Sequence, residues 1–397
     1  MKILVVCQYY YPEEFQINDI CEYLVNCGNQ VTVLTGLPNY PNGVVPKAYQ
    51  WGKRHEFYRG VEIYRSSEIP RGRGAFSLVI NYMSFVIMAS IKALFIKKDF
   101  DVIYVYQLSP VLMAIPGIIL KKITGKKLFL YCCDLWPESV KVMKIRETSI
   151  LFKIIWNIST YIYGKCDLIG VQSTAFIQYF QKVHHISRDI LMYIPQFADS
   201  KFLKEKLSEK HDGINFMFMG NIGKAQDLDC LVEAVKIMKH IPGFKVHIVG
   251  DGSYLSTLKK HVDQYKLNNL FVFYGRRPYK EMSRYYKLAD VCLLTLSHDS
   301  IIGETIPSKL QGYMAAGKAV VAAIDGPARG IILEAGCGQV VDAGDSVGLA
   351  EHMKNMIFHH ERCQQYGENG KNYFKNHFTK KIYIENTEKA LKHLVEA

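Results

Sequence analysis

The sequence lacks the residue spacings that mark metal sites, disulfide frameworks and nucleic-acid-binding motifs. Its ten cysteines are scattered, several inside apolar runs, and none has the spacing of a zinc site. The thirteen histidines show no ligand spacing either, and adjacent histidines on a helix do not face one metal. Aromatic residues do not interleave with Lys or Arg in an RNA-binding pattern. We therefore expect that the protein binds neither a metal nor a nucleic acid and that it works in a reducing cytosol.

Low-complexity tracts are also lacking, and we expect no targeting segment at the amino terminus. Residues 1–7 form an apolar run typical of a buried strand, with no basic region followed by a cleavage site. The 397 residues are 49% hydrophobic and 22% charged, a globular composition with enough chain for two domains. The net charge of +12 favours an anionic partner, and we expect this partner to be a membrane surface.

One internal stretch lacks charge altogether. No charged residue occurs from Ala75 to Ile91, whereas basic residues flank the stretch on both sides. The flanking residues are Arg71, Arg73, Lys92, Lys97 and Lys98. Seventeen uncharged residues fall short of the roughly 20 that span a bilayer. Three interpretations stay open for residues 75–96: a spanning helix, a helix lying in the membrane interface, or a buried core helix.

Strands and helices alternate in both halves of the chain. The strand run Lys2–Cys7, a helical pattern and the strand run Gln30–Thr35 form a βαβ unit. No G-x-G-x-x-G follows the first strand, which disfavours a dinucleotide-binding enzyme. Ile214–Met219 starts a second series of βα repeats. The prediction is an α/β chain with two Rossmann-like doubly wound domains, residues 1–196 and 197–370, and a helical segment, residues 371–397.

The stretch from Gly303 to Val321 has the residue order of a phosphate-binding loop that runs into a helix. Pro307 suits the first turn of a helix, where the free N–H groups of residues 308–310 would point out of the helix end. Such an end attracts anions. Gly317 would end the helix before an apolar strand, Ala319–Ala323. An ordinary capped α/β connection is the alternative.

Seven motifs follow one another along nearly the whole chain. They are PNYPNG, DLWPES, GNIGKAQDLD, VGDG, ADVCLLTL, PSKLQGYMAAGK and GCGQVVDAGD. In this order and spacing they resemble the family 4 glycosyltransferases of the GT-B fold, nearest to the O-antigen and capsule subgroup of the fucosamine-transferase type. The resemblance implies two Rossmann-like domains facing a cleft and a retaining, metal-independent transfer from a nucleotide sugar, commonly a UDP-sugar. The second domain would hold the nucleotide and the first most of the acceptor.

The resemblance also implies the site residues, position by position. Gly220, Asn221 and Gly223 would line the diphosphate, Arg276 would lie near the base or phosphate, and Glu304 would bind the donor sugar. The candidate catalytic residues are Glu304, Lys309 and Asp134. The candidate donor-binding residues are Gly220, Asn221, Gly223, Lys224, Gly250, Gly275, Arg276, Pro307 and Ser308.

Three departures from the family pattern bear on this site. Gly312 stands where a second Glu often binds the ribose, and Cys133 stands where a His often precedes the Asp of the DLWP loop. Asn221 and Gln226 replace an Arg and a Lys that often grip the diphosphate. We expect Lys309 to supply the missing charge, because it lies in the first turn of the anion-binding helix. Arg276 and Lys224 are the alternatives.

The expected function is transfer of a deoxy or N-acetylated amino sugar from UDP to a saccharide on polyprenyl diphosphate. The enzyme would work peripherally at the cytoplasmic face of the membrane, in O-antigen or capsule biosynthesis. No cofactor is expected beyond the UDP-sugar, which is a substrate. Two alternatives remain open: a GT-B sugar-nucleotide epimerase, and a non-catalytic scaffold subunit of a polysaccharide assembly complex.

Overall fold

The computed structural model describes residues 1–72, 74–143, 145–298 and 305–396. The chain divides into two compact units, Met1–Ile194 with Ile384–Ala397, and Pro195–Tyr383. The first change of unit thus comes two residues before the predicted limit at 196. After residue 370 the chain stays in the second unit as far as Tyr383 and then returns to the first.

The first unit contains an eight-stranded sheet. Its strands are β1 (Lys2–Val6), β2 (Gln30–Thr35), β3 (His55–Tyr58), β4 (Val61–Arg65), β5 (Val102–Gln107), β6 (Leu128–Cys132), β7 (Leu168–Val171) and β8 (Leu191–Tyr193). The strand order is β3-β4-β2-β1-β5-β6-β7-β8, and only the β3–β4 pair is antiparallel. Every residue of β5 and β6 is buried, as expected for central strands covered on both faces.

Helices α3, α4, α5 and α6 cover one face of this sheet, because all four contribute side chains to one apolar cluster with alternate strand residues such as Leu4 and Val6. The helices of the first unit are α1 (Gln16–Asn26), α2 (Lys47–Gln50), α3 (Ala75–Phe95), α4 (Ile115–Thr124), α5 (Ile150–Tyr163) and α6 (Thr174–Val183). The interpretation of residues 75–96 as a wholly buried core helix is wrong. Phe85 is fully buried, whereas Phe76 and Phe95 are each 79% exposed.

The second unit contains a six-stranded parallel sheet. Its strands are β9 (Ile214–Met219), β10 (Phe244–Val249), β11 (Phe271–Gly275), β12 (Val291–Thr295), β13 (Ala319–Ala323) and β14 (Gly338–Val341). The order β11-β10-β9-β12-β13-β14 reverses direction between β9 and β12. Ligands of doubly wound sheets bind at the carboxyl ends of the strands beside such a reversal.

Helices complete the second unit. They are α7 (Leu228–Met238), α8 (Leu255–Gln264), α9 (Met282–Leu288), α10 (Ser308–Ala315), α11 (Gly326–Ala335), α12 (Ser346–Phe358) and α13 (Glu361–His377), and α14 (Lys380–Glu396) begins in this unit and ends in the first. The predicted βαβ order is confirmed, and the strand Ala319–Ala323 has its predicted bounds. Gly317, which precedes this strand, has the expected positive φ of 66°.

Candidate functional site

Glycines bring the ends of three neighbouring strands into direct backbone contact. The N–H of Gly220, after β9, donates to Val249 O at 2.9 Å, and the N–H of Gly250, after β10, donates to Gly275 O at 3.0 Å. A Cβ atom on Gly250 would lie 1.8 Å from Gly220 O, which no side chain tolerates. Three of the predicted donor-binding residues, Gly220, Gly250 and Gly275, are therefore brought together, and glycine is required where β9 and β10 end.

The side chain of Lys309 lies against Gly220. A Cβ atom on Gly220 would be 2.4 Å from Lys309 Cε, so the lysine stem occupies the space that a side chain at position 220 would need. Lys309 Nζ is 3.9 Å from the centre of the Phe218 ring. It is shielded from solvent and has no hydrogen-bond partner among the described residues.

Burial lowers the pKa of Lys309 from 10.5 to about 7, because the charged form loses its hydration without gaining an acceptor. An ammonium group in this state is stabilised by any anion that reaches it. The predicted cation is therefore placed beside the predicted phosphate loop.

The amino-terminal end of α10 has two N–H groups without an acceptor among the described residues. Pro307 has an extended backbone with φ −61° and ψ 128°, so it precedes the helix, whereas the sequence indicated the first helical position. Leu310 N–H donates to Pro307 O at 2.9 Å, which corrects the expectation that it is free. The N–H groups of Ser308 and Lys309 then remain without an intrahelical acceptor. One residue, Lys309, thus brings both a helix-end N–H and an amine to the site.

The loop after β9 is held by an amide where the family pattern has a lysine. Gln226 Oε1 accepts hydrogen bonds from Gly223 N at 3.0 Å and from Asn221 Nδ2 at 3.2 Å. Gln226 is buried, whereas Asn221 and Lys224 are exposed. Gln226 therefore shapes the loop without adding charge to it, and Lys224 points to solvent.

A cavity of about 620 Å³ opens beside the glycine contact. Its lining residues are Gly220, Asn221, Val249, Gly250, Asp251, Gly252, Arg276, Arg277 and Met282. Arg277 is anchored through Nε to Tyr274 O at 3.0 Å. Arg276 is exposed and lines the cavity, and its place near the base or phosphate of a donor stays a prediction.

Gly312, which replaces the ribose-binding Glu of the family pattern, is tightly packed. A Cβ atom there would lie 2.7 Å from the hydroxyl oxygen of Tyr286, a buried residue of α9. The position therefore has no room for a carboxylate side chain unless Tyr286 moves.

The other two predicted catalytic residues are Glu304 and Asp134. Glu304 lies outside the described residues. Asp134 belongs to the first unit, after β6, and its Oδ2 accepts a hydrogen bond of 2.8 Å from Ser109 Oγ. Trp136 Nε1 donates to the same Ser109 oxygen at 3.1 Å. The roles predicted for Glu304 and Asp134 stay predictions.

The first unit has a polar cluster at the carboxyl ends of β1, β2 and β4 that the sequence did not indicate. Glu68 accepts hydrogen bonds from Asn39 Nδ2 and, at 3.4 Å, from Gln8 Nε2. Burial raises the pKa of the Glu68 carboxyl well above its usual range. Gln8 Nε2 also donates to Asn81 Oδ1 at 3.1 Å, while Gln8 Oε1 has no partner among the described residues.

A cavity of about 450 Å³ adjoins this cluster and is lined by Glu68, Leu37, Pro70 and the loop residues 43–45, 50 and 51. Glu13 is also buried, and it accepts the N–H of Asn39 at 2.7 Å. The cluster joins residues 60 and more positions apart, which no local pattern reveals. The described residues contain no group of three or more His, Cys, Asp or Glu side chains that could hold a metal ion.

Comparison with known proteins places the second unit in a family. Residues 199–373 match the family described as "Glycosyl transferases group 1". WbjE of Pseudomonas aeruginosa, named as a probable glycosyltransferase, is 28% identical over 257 residues, which cover 61% of this chain and 62% of WbjE. The match thus spans less than two thirds of that relative. WcaI of Escherichia coli K12, whose name assigns it as a glycosyl transferase to colanic acid biosynthesis, is 24% identical over 80% of this chain and 82% of its own.

The fold of the whole chain has counterparts among solved structures. HepE of Anabaena in complex with UDP has a TM-score of 0.70 and 14% identity, with 100% of both chains covered. The same protein has also been solved with UDP-glucose, with a TM-score of 0.65. At these identities the likeness concerns the fold, and it confirms the GT-B fold predicted from the sequence.

Proposed function

We propose that this chain, whose second unit matches the group 1 glycosyltransferases and whose fold is GT-B, transfers a sugar from a UDP-sugar to a lipid-linked saccharide. The transfer retains the anomeric configuration and needs no metal ion. The sugar is a deoxy or N-acetylated amino sugar, and the acceptor is a saccharide on polyprenyl diphosphate at the cytoplasmic face of the membrane. The name of WcaI supports a role in building a bacterial polysaccharide, here O-antigen or capsule.

The observation that carries the proposal is the unpartnered ammonium of Lys309 beside Gly220. A diphosphate lying along Gly220 and Gly223 would accept hydrogen bonds from the N–H groups of Ser308 and Lys309. It would also give Lys309 Nζ the acceptor that the described chain does not supply. UDP in the structure of HepE, which has the same fold, supports uracil as the base.

Sugar transfer leaves UDP with additional negative charge on the oxygen that held the sugar. A cation and helix-end N–H groups fixed beside that oxygen stabilise the developing charge, and they do so without a proton donor. Lys309 and the start of α10 supply both features in the second unit. Arg276 lines the adjoining cavity, where it adds positive charge near the base and ribose.

The acceptor side of the proposal rests on the first unit. The cavity lined by Glu68 is polar at its base, and its neighbours include the exposed Trp51, a surface on which a sugar ring stacks. The Glu68 carboxyl, whose pKa is raised by burial, and Gln8 Oε1, which has no partner among the described residues, offer polar groups to sugar hydroxyls. Asp134 and Glu304 keep the catalytic and sugar-binding roles proposed for them.

The test is the thermal stability of the purified chain with UDP, GDP and ADP. A ligand at 100 times its dissociation constant adds about 2.7 kcal/mol to stability, which is roughly 5–10 °C in Tm for a domain of this size. We expect UDP alone to give this rise, and Lys309→Ala to remove most of it, since the ammonium loses its place beside the diphosphate.

Lys354→Ala is the matched control, because Lys354 is an exposed lysine on α12 outside the cavity lining. It should respond to UDP like the unaltered chain. Absence of any rise with all three nucleotides would contradict the donor assignment and favour the scaffold alternative. Turnover of UDP-GlcNAc to free UDP and a new sugar without an acceptor would instead favour the epimerase.

A further inference from the structure

Helix α3 exposes an unusually apolar side. Its residues Phe76–Phe95 have a mean hydropathy of 1.8, and only 28% of this window is buried. By length and composition this is the single helix among the described residues that is able to cross a membrane. The large exposed side chains are Phe76, Val79, Met83, Ile87, Met88, Ile91, Leu94 and Phe95, with exposed fractions from 37% to 79%.

Helix α5, which the sequence did not indicate, repeats this arrangement. Its exposed apolar side chains are Ile150, Leu151, Ile154, Ile158 and Tyr161, and Ile150 is 79% exposed. Both α3 and α5 contact the short 3₁₀ helix Val111–Ala114 that leads into α4, where Ile123 is 48% exposed. The exposed side chains of α3, α4 and α5 are named the outer layer here. All three helices cover the same face of the sheet, so the layer lies on one side of the first unit.

Charge in the outer layer has one sign. Residues 75–98, 111–127 and 150–165 contain nine lysines and no Asp or Glu. The lysines are Lys92, Lys97, Lys98, Lys121, Lys122, Lys126, Lys127, Lys153 and Lys165. Within the described part of the chain, only Lys121 and Lys127 pair with an acidic side chain, and both pair with Asp167. An apolar surface accompanied by lysines, seven of which pair with no acidic side chain among the described residues, matches the hydrocarbon and anionic headgroups of a lipid surface.

We propose that the outer layer docks on an anionic lipid bilayer, with α3 and α5 lying together in the interface. The proposal rests on the proposed function only for its purpose, which is to reach a lipid-linked acceptor. Helix α3 lies on the bilayer and does not cross it, because Phe85, Ala89 and Ala93 on its inner side are fully buried in the core. Asn81 is also buried and donates to Ile69 O at 2.8 Å. If lipid surrounded α3 on every side, these packed residues would have to leave the sheet.

The sign of the charge distinguishes lipid from a second copy of the chain as the occupant. Two outer layers facing each other would bring lysines against lysines, and like charges across an interface oppose association. A bilayer with anionic headgroups has the opposite sign and accepts the apolar side chains to a depth of about 5–10 Å. The outer layer therefore fits lipid better than itself.

The experiment is co-sedimentation of the full chain with vesicles of phosphatidylcholine alone and of phosphatidylcholine with 30% phosphatidylglycerol (about one anionic lipid in three). We expect binding to the anionic vesicles that weakens as salt is raised. The double variant Ile87→Glu/Ile154→Glu should bind at least ten-fold more weakly, because it places a carboxylate in each apolar strip. The milder Ile87→Ser/Ile154→Ser, which adds no charge, should weaken binding in the same direction.

Ile237→Glu is the matched control, since Ile237 in the second unit is 53% exposed, as is Ile87. It should bind vesicles like the unaltered chain. Equal binding of the double variant and the control, or no binding to anionic vesicles, would overturn the proposal. The proposal would also be overturned if light scattering showed the unaltered chain as a dimer and the double variant as a monomer, because a second copy would then occupy the outer layer.

The outcome is separable from that of the donor site. Lys309→Ala should bind vesicles normally, and Ile87→Glu/Ile154→Glu should keep its UDP-induced rise in Tm, which also shows that it is folded. Failure of UDP binding therefore leaves the docking test intact, and failure of docking leaves the donor site intact.

Discussion

Two buried lysines of the second unit, Lys309 and Lys318, stand at opposite ends of α10 and differ in what surrounds them. Lys318 Nζ donates to Leu207 O and Ala289 O, both at 2.6 Å. Lys309 Nζ has no acceptor among the described residues. Burial lowers the pKa of both lysines. The same residue type is thus hydrogen-bonded by the chain in one place and left without an acceptor among the described residues in the other.

The difference separates a lysine of the fold from a lysine of the site. Hydrogen bonds to two carbonyl oxygens offset the cost of burying Lys318. They also join the segments around Leu207 and Ala289 to the turn that precedes β13. The described residues offer Lys309 Nζ the Phe218 ring but no hydrogen-bond acceptor, so the position of Lys309 costs the free protein stability. Such a cost persists in a protein where a ligand relieves it.

The largest expected effect is on folding and concerns Lys318. Lys318→Ala removes two hydrogen bonds and leaves two buried carbonyl groups unpaired, so we expect the free energy of unfolding to fall by about 3 kcal/mol. Lys309→Ala should change it by less than about 1 kcal/mol, since no bond is lost. Urea denaturation of both variants without ligand measures the difference. Equal losses in the two variants would break the comparison.

A second expected effect concerns the helix that carries Lys309. Gly312→Ala forces the Tyr286 hydroxyl to move, because the new Cβ would lie 2.7 Å from it, and we expect a loss of about 2 kcal/mol. Gly330→Ala on α11 is the matched control, since no atom lies within 4 Å of its Cβ position. Alanine there should stabilise by up to about 1 kcal/mol through helix propensity.

Thermal melts of both glycine variants with and without UDP complete this test. The UDP-induced rise should persist in Gly312→Ala, because the ammonium of Lys309 is retained. If Gly312→Ala shows no UDP-induced rise in Tm, position 312 contributes to the donor site. The difference between the two lysines would then be insufficient to explain nucleotide binding.

The smallest expected effect is a pH dependence. Burial lowers the pKa of Lys309 to about 7, so above pH 7 the free protein increasingly holds the neutral amine. A bound diphosphate favours the ammonium and raises the pKa again, so binding takes up a proton. Affinity for UDP should therefore fall by up to about ten-fold, or ~1.4 kcal/mol, per pH unit above 7. Below pH 7 this group contributes no slope, because it is protonated with and without ligand.

Calorimetric titration of UDP at several pH values, in two buffers of different protonation enthalpy, measures the proton uptake. The uptake should disappear in Lys309→Ala, and its persistence there would assign it to another group. The effect of pH on the free energy of unfolding has the opposite sign to its effect on UDP affinity. The unfolded lysine keeps its proton up to about pH 10.5, so the contribution of Lys309 to stability rises with pH from about 7.

Local patterns in the sequence were sufficient for most strands and for the segment around α10. Buried parallel strands such as Ile214–Met219 are continuous apolar runs, and Pro307 and Gly317 mark the two ends of a helix by their backbone preferences. Lys309 was predicted as the cation because of its place in the first helical turn. That reasoning needed only neighbours in sequence.

The features that the sequence did not reveal depend on distant residues. Gly312 has no room for a side chain because Tyr286, on another helix, fills the space. Glu68 is a site candidate only because it packs beside Gln8. Helix α5 was missed because its apolar residues lie on its exposed side as well as in the core, which obscures the amphipathic pattern.

The contact between Gly220 and Lys309 has a consequence for how variants of this chain should be interpreted. The lysine carries the charge, but the hydrogen atom at Cα of position 220 decides where that charge stands, because any larger substituent occupies the path of the lysine stem. A substitution at Gly220 would therefore act as an electrostatic mutation although it changes no charge. Glycine at position 220 therefore determines where the positive charge of the site lies.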